Sequence, residues 1–112
     1  MTLAAPTEHE RTLALLRGPD HVSEIANDAY LDLIGRRAAL GLSVAAALPE
    51  VVGQGFVALL DTVFATAEPH RGWAVPIAIA RGGEEPVEER LIDFVYQPIK
   101  DSNGNVTDIF VE

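Results

Sequence analysis

The side chains best suited to chemistry in this 112-residue chain include three histidines. His9, His21 and His70 are scattered along the sequence and show none of the ligand spacings typical of a metal site. His70 directly follows Pro69, so we expect it to lie in a solvated loop, and we expect His9 and His21 to be equally isolated. The histidines therefore do not predict a metal site.

Four acidic residues form the second candidate group: Glu84, Glu85, Glu88 and Glu89. They fall in and beside a predicted hairpin turn at residues 82–86. Catalytic carboxylates need burial or a partner that shifts their pKa, and a turn offers neither. Ser102 and Asn103 fit a second turn better than nucleophilic catalysis. We therefore expect a solvated acidic rim and a domain without enzymatic activity.

The composition excludes several cofactors. The chain has no cysteine, so it forms no disulfide, thiolate nucleophile or cysteine-flavin adduct. A haem needs an axial ligand, often a histidine, and the longest predicted helix carries no histidine. Haem and cysteine-adduct flavin are therefore disfavoured, and no cofactor is evident.

The charge limits the classes of partner. The sequence contains seventeen acidic and eight basic residues, so its net charge is −9, and it has no basic patch. Such a chain is poorly suited to nucleic acid or to an anionic membrane surface. The N-terminus lacks the cationic start and apolar core of a signal peptide. These features favour a cytoplasmic location.

The elements that must position any site follow a segregated order. The sequence predicts two strands, three or four short helices, and three strands joined by hairpins. Asn27 is a good N-cap for the first helix, and Gly35 is a good terminator. Ser43 is a possible cap for a later helical turn. The clearest helix spans residues 53–67, and one face of it is lined by Phe56, Leu59, Leu60, Val63, Phe64 and Ala67. This order predicts an α+β fold with helices on one face of an antiparallel sheet.

Four segments in this order resemble the PAS sensory domain of bacterial sensor histidine kinases and related signalling proteins. They read HVSEIANDAYLDLIGR, GLSVAAALPEV, GFVALLDTVFATAEPHRG and ERLIDFVYQPIKDSNGNVTDIFVE. The resemblance covers residues 13–112 and implies a five-stranded antiparallel sheet in the order 2-1-5-4-3, with residues 1–12 a helical or frayed segment. Two residues depart from the pattern: Ala67 replaces a frequent glycine, and Ser23 replaces a bulky side chain.

The resemblance also implies a pocket between the helices and the inner sheet face. Nine residues are candidates for its wall or for nearby polar groups: Asn27, Phe56, Leu60, Phe64, Ile77, Phe94, Tyr96, Gln97 and Ile109. The alternative, which we favour at this stage, is that the apolar members simply pack a small core.

The last hairpin predicts the position of its strands. Residues 101–104 supply the turn, and Pro98, which lacks an N–H, must sit where its strand extends past one neighbour. The resemblance places the final strand at the centre of the sheet. We expect the chain to be a module of a longer signalling protein.

By resemblance, the expected function is that of a sensor in a two-component system. Binding of an unidentified small molecule or a partner would be relayed to an attached output domain, most often a histidine kinase. Because both faces of the fourth strand are apolar, a second hypothesis is a ligand-free homodimerisation module that uses the N-terminal segment and the outer sheet face. A third is a small cone-shaped α+β isomerase or hydrolase, although its long opening helices and Asp/His pair are not evident.

Overall fold

The computed structural model describes residues 11–80 and 88–112. Its elements in chain order are β1 (Ala14–Arg17), β2 (Val22–Ala26), α1 (Asp28–Leu33), α2 (Val44–Ala47), α3 (Pro49–Val52), α4 (Phe56–Thr66), β3 (His70–Ile79), β4 (Glu88–Lys100) and β5 (Val106–Val111). The predicted turn at 82–86, with Glu84 and Glu85, lies outside the described residues, as does His9. The predicted α+β class is confirmed.

The strands form one antiparallel sheet in the order β2-β1-β5-β4-β3, which confirms the predicted order. β5 lies at the centre, where Val111 faces Ala14 of β1 on one side and Tyr96 of β4 on the other. The helices connect β2 to β3 and bury their apolar side chains with the inner sheet face in one core. Ile109 at the centre of β5 is fully buried.

The short helices begin at the caps that the sequence predicts. Asn27 Oδ1 accepts the backbone N–H of Tyr30 at 3.0 Å at the start of α1, and Gly35 has a positive φ of 79° just after its end. Ser43 Oγ accepts the N–H of Ala46 at 3.1 Å at the start of α2. Each side chain satisfies an N–H that the first helical turn leaves unpaired.

Pro98 has the position that its missing N–H requires. Val95 and Glu112 exchange backbone hydrogen bonds of 3.1 and 3.0 Å, so the N–H and C=O groups of Val95 point away from β3. Because these groups alternate in direction along a strand, those of Tyr96 and Pro98 point towards β3. The ladder with β3 starts at His70 opposite Tyr96, and Pro98 lies beyond it. The prediction that this strand extends past one neighbour is confirmed.

The predicted position of His70 was wrong. β3 begins at His70 instead of near Trp73, because this stretch finds ladder partners in β4. The His70 ring is half-buried, with its centroid 5.7 Å from that of Phe94. His70 is therefore a strand residue and not a solvated loop residue.

No helix within residues 11–80 and 88–112 combines the length and apolar character needed to cross a bilayer.

The exit of α4 yields a stability prediction. Ala67 has a φ of 61°, in the left-handed region that costs a residue with a Cβ about 1 kcal/mol. Ala67→Gly is therefore expected to raise the free energy of unfolding by about 1 kcal/mol, measured by urea denaturation. The control is Ala58→Gly inside the same helix, where glycine should lower stability by about 1 kcal/mol. Two changes of the same sign would contradict the explanation.

Candidate functional site

A cavity of about 140 Å³ lies between the helices and the inner face of the sheet. Its walls are mostly aliphatic and aromatic, with a few polar groups at one side. The lining residues are Thr12, Leu16, Tyr30, Leu33, Ile34, Val44, Leu48, Val51, Phe56, Leu60, Ile77, Ile79, Ile92, Asp93, Phe94, Tyr96, Val111 and Glu112. Every helix and most strands contribute to this lining, so the shape of the cavity depends on the packing of the whole domain.

Five of the nine residues predicted from the sequence line this cavity: Phe56, Leu60, Ile77, Phe94 and Tyr96. Ile109 is buried elsewhere in the core, and the half-buried Phe64 packs edge-on against His21, with centroids 6.1 Å apart. Asn27 caps α1 instead of reaching the cavity. Ligand binding by any of these residues stays a prediction.

The placement of Gln97 near the pocket was wrong. Tyr96 points inwards from β4, so the pleat turns the adjacent Gln97 to the outer face, where it is exposed. Among the described residues, its amide approaches only the carbonyl of Pro98, at 3.5 Å.

Tyr30 is a cavity residue that the sequence reasoning missed. It lies three residues after the cap Asn27 and one helical turn before Ile34, which also lines the cavity. This i, i+4 spacing was the available signal, but it extends over only one turn of a short helix.

The two phenols are the polar groups of the inner wall. Burial raises the pKa of Tyr30, an effect that the neighbouring Ser23 hydroxyl partly offsets. Burial, and secondarily Tyr30, raises the pKa of Tyr96 as well. Both side chains therefore stay neutral at physiological pH. Ser23 Oγ is buried and makes no hydrogen bond of normal geometry with the described residues.

Phe94 is the centre of an aromatic cluster in the cavity wall. Its ring centroid lies 5.8 Å from that of Phe56 and 4.8 Å from that of Tyr96. The ring fits because it packs over Gly72 of β3, where an added Cβ would lie only 2.4 Å from Phe94 Cε1. Gly72 therefore determines how far the Phe94 ring can withdraw from the cavity.

The cavity shares part of its wall with a second space. Thr12, Asp93, Phe94 and Glu112 line both the cavity and an adjoining recess of about 280 Å³. These four residues, which we call the mouth, connect the cavity with the recess.

Asn27 fastens the N-terminal part of the described chain to the cavity wall. Besides capping Tyr30, its Oδ1 accepts the N–H of Leu13 at 3.0 Å, and its Nδ2 donates to the carbonyl of Arg11. The guanidinium of Arg11 in turn lies 3.2 Å from a carboxylate oxygen of Glu112. Arg11, before β1, and Glu112, after β5, are therefore joined at the mouth.

Two polar side chains fasten the helical layer to edge strand β3. The Gln54 amide donates to the carbonyl of Ala78 and accepts its N–H, both at 2.8 Å. Glu50 accepts the N–H of Ala80 at 3.0 Å and pairs with Arg37. Burial alone raises the pKa of Glu50, but these hydrogen bonds outweigh it and hold the pKa below its ordinary value. The bonds satisfy backbone groups that an edge strand leaves open.

The expectation that His21 is isolated was wrong. Its buried ring places Nε2 2.8 Å from Asp61 Oδ1 on α4, whereas Nδ1 has no hydrogen-bond partner among the described residues. The pair does not line the cavity. Within residues 11–80 and 88–112, no group of three or more His, Cys, Asp or Glu side chains is arranged to hold a metal ion.

The outer face of the sheet exposes large apolar side chains. Leu91 on β4 is 70% exposed, Ile25 on β2 is 59% exposed, and Ile99 on β4 is 39% exposed. Trp73, at the bulge of β3, is 66% exposed and lies beneath the guanidinium of Arg71, 5.2 Å from the ring centroid.

Gly72 provides the second prediction. Gly72→Ala should push the Phe94 ring towards the cavity and lower the free energy of unfolding by about 1–3 kcal/mol, the usual cost of overpacking. Urea denaturation measures this change. Gly53→Ala is the matched control, because Gly53 has a negative φ of −73° and open space around its Cβ position. Equal effects of the two substitutions would contradict the proposed role of Gly72.

Comparisons with known proteins agree with this architecture. A family model described as the PAS fold matches residues 11–112. A sensory box sensor histidine kinase from Vibrio cholerae superposes with a TM-score of 0.67 at 14% identity, over 96% of this chain and 80% of that one. The PAS domain of Bordetella pertussis BvgS gives 0.61 at 22% identity, over 89% and 72%. The blue-light photoreceptor Aureochrome1 LOV gives 0.62 at 16% identity, over 99% and 85%.

Proposed function

The chain belongs to the PAS family, and from this premise we propose that it is the sensory domain of a cytoplasmic signal-transduction protein. PAS domains are generally sensory rather than catalytic, and the similar histidine kinase structure indicates a signalling role. In the proposed mechanism, a small molecule enters the cavity, alters the packing of its walls, and shifts the conformation of an attached output domain. A two-component histidine kinase is the output that we favour.

The observation that carries this proposal is the cavity itself. Its volume of about 140 Å³ matches that of an engineered apolar cavity of about 150 Å³ that stays dry and binds benzene or xenon. A small core that merely packs its side chains leaves few voids larger than a water molecule. A cavity of this size therefore favours occupation by a ligand over the simple core that the sequence suggested.

The hydrogen bonds around Asn27 provide a physical route for the relay. Tyr30 lines the cavity, and Asn27 binds the N–H of Tyr30 together with two backbone groups of the segment Arg11–Leu13. Val111 lines the cavity too, and Glu112 beside it binds Arg11. A ligand that moves Tyr30 or Val111 therefore acts on the segment Arg11–Leu13 and on Glu112. Such a ligand shifts the population of domain conformations if it favours one packing over another.

An enzymatic function has less support. The cone-shaped enzymes considered above need a polar pair in the pocket, but His21 and Asp61 lie outside the cavity lining. The groups that the cavity offers are neutral phenols on its inner wall and carboxylates at its mouth.

Xenon binding tests the proposed function without assuming the chemistry of the ligand. Xenon titrated into the purified chain should shift the methyl NMR signals of Val51 and Ile77 in a saturable manner. It should also shift the backbone amides of Leu13 and Glu112, because these groups lie at the proposed relay positions. Absence of the methyl shifts would rule out an accessible cavity, and methyl shifts without the amide shifts would rule out the relay.

A matched pair of variants locates the bound xenon. Val51→Phe fills the cavity and should abolish the saturable shifts, monitored at Ile77. Val52→Phe places the same ring on the exposed neighbouring residue and should leave them unchanged. Circular dichroism confirms that each variant is folded. If Val51→Phe does not fold, the titration of the unmodified chain still decides between the two outcomes.

The outer sheet face favours homodimerisation as a second candidate function. Leu91, Ile25 and Ile99 expose apolar surface that a second copy of the sheet could cover. In this candidate function, the N-terminal segment contributes to the same two-fold contact, and no ligand is required.

Sedimentation equilibrium over a dilution series tests the dimer. Leu91→Glu should weaken self-association by at least about tenfold, because a carboxylate placed in an apolar contact loses its hydration. Leu40→Glu is the control, since Leu40 is 57% exposed but lies in the connection between α1 and α2. A chain that stays monomeric at the highest concentration would contradict the dimer.

A further inference from the structure

The size of the cavity sets an upper limit on its ligand. Typical ligand pockets measure about 300–1,000 Å³, and this cavity offers about 140 Å³. A single ring with a one-atom or two-atom substituent fits this space, because an engineered cavity of about 150 Å³ holds benzene. The volume does not suit a haem or a flavin without expansion of the domain.

The wall chemistry restricts the charge of the ligand. Apart from the three polar residues at the mouth, the described lining consists of apolar side chains and the two phenols of Tyr30 and Tyr96. It includes no lysine, arginine or histidine. A carboxylate that enters such a space loses its hydration and gains no opposite charge in return. A hydroxyl or carbonyl group can form a hydrogen bond with a phenol at far lower cost.

Asp93 adds a negative charge at the mouth. It lines both the cavity and the recess outside it, and it accepts the N–H of Ala74. Two arginines are nearby, but Arg11 pairs with Glu112 at 3.2 Å, and Arg71 lies over Trp73. Both arginines line the recess and not the cavity.

We propose that the cavity selects a neutral, mainly apolar molecule of about the size of one aromatic ring with a single hydrogen-bonding group, and that it rejects the carboxylate of the same shape. This specificity rests on the proposed function of the cavity as a ligand site. The lining without a basic side chain rejects the anion, Asp93 adds to this exclusion at the mouth, and Tyr30 and Tyr96 bind the polar group inside.

Benzyl alcohol and benzoate form a matched pair of probes, since they share a ring and differ in charge. In methyl NMR titrations of the purified chain, benzyl alcohol should shift Val51 and Ile77 saturably. Benzoate should bind at these positions at least about tenfold more weakly, because its charge must be desolvated. Trp73 is the only tryptophan, so its fluorescence separately reports binding in the recess. Equal affinities of both probes at Val51 and Ile77 would overturn the proposal.

A charge-neutralising variant tests the role of Asp93 at the mouth. Asp93→Asn should strengthen benzoate binding at the cavity methyls several-fold and leave benzyl alcohol nearly unchanged. The introduced amide keeps an oxygen acceptor for the N–H of Ala74, which Asp93 binds at 2.7 Å. Glu24→Gln on edge strand β2 removes the same kind of charge far from the mouth and should change neither affinity. An Asp93→Asn variant that behaves like this control would overturn the role of Asp93.

The xenon titration separates the two proposals. If xenon occupies the cavity while benzyl alcohol does not, the selected class is wrong and the cavity remains a ligand site. If xenon is also absent from the cavity, the proposed function itself fails. Occupation by xenon and benzyl alcohol, with exclusion of benzoate, supports both.

Discussion

The pairing of β5 with both β1 and β4 is the constraint on which the rest of the structure depends. It joins a strand near the start of the described chain to one at its end, so Ala14 lies opposite Val111. Closing so long a loop costs conformational entropy that burial of the central strand must offset. Ile109 provides much of that burial, since it is fully enclosed between the sheet and α4. Once β5 is paired, the sheet has one apolar inner face, and the helices between β2 and β3 pack against it.

The cavity follows from how that face is covered. α2 and α3 contain four residues each, so neither presents a continuous apolar stripe. Gln54 and Glu50 attach this thin layer to the backbone of β3 and limit its collapse. Space therefore remains where short helices face a broad sheet.

Much of this architecture was predictable because local signals and long-range order agreed. Asn27, Ser43 and Gly35 marked helix ends through chemistry that acts within a few residues. The alternation of side chains along β4 assigned Phe94 and Tyr96 to the inner face of the sheet. The same alternation places Gln97 on the outer face, so it contradicted the prediction that Gln97 lies near the pocket. The strand order came from family resemblance, since no local pattern encodes which distant strands pair.

The contacts that the sequence did not predict are those that depend on three-dimensional proximity. His21 and Asp61 belong to elements forty residues apart, and only the packing of a turn against α4 brings them to 2.8 Å. In the sequence, Asp93 is one solvated residue of an alternating strand, yet it lines both the cavity and the adjoining recess, because residues from several strands surround these spaces. No single strand carries this signal.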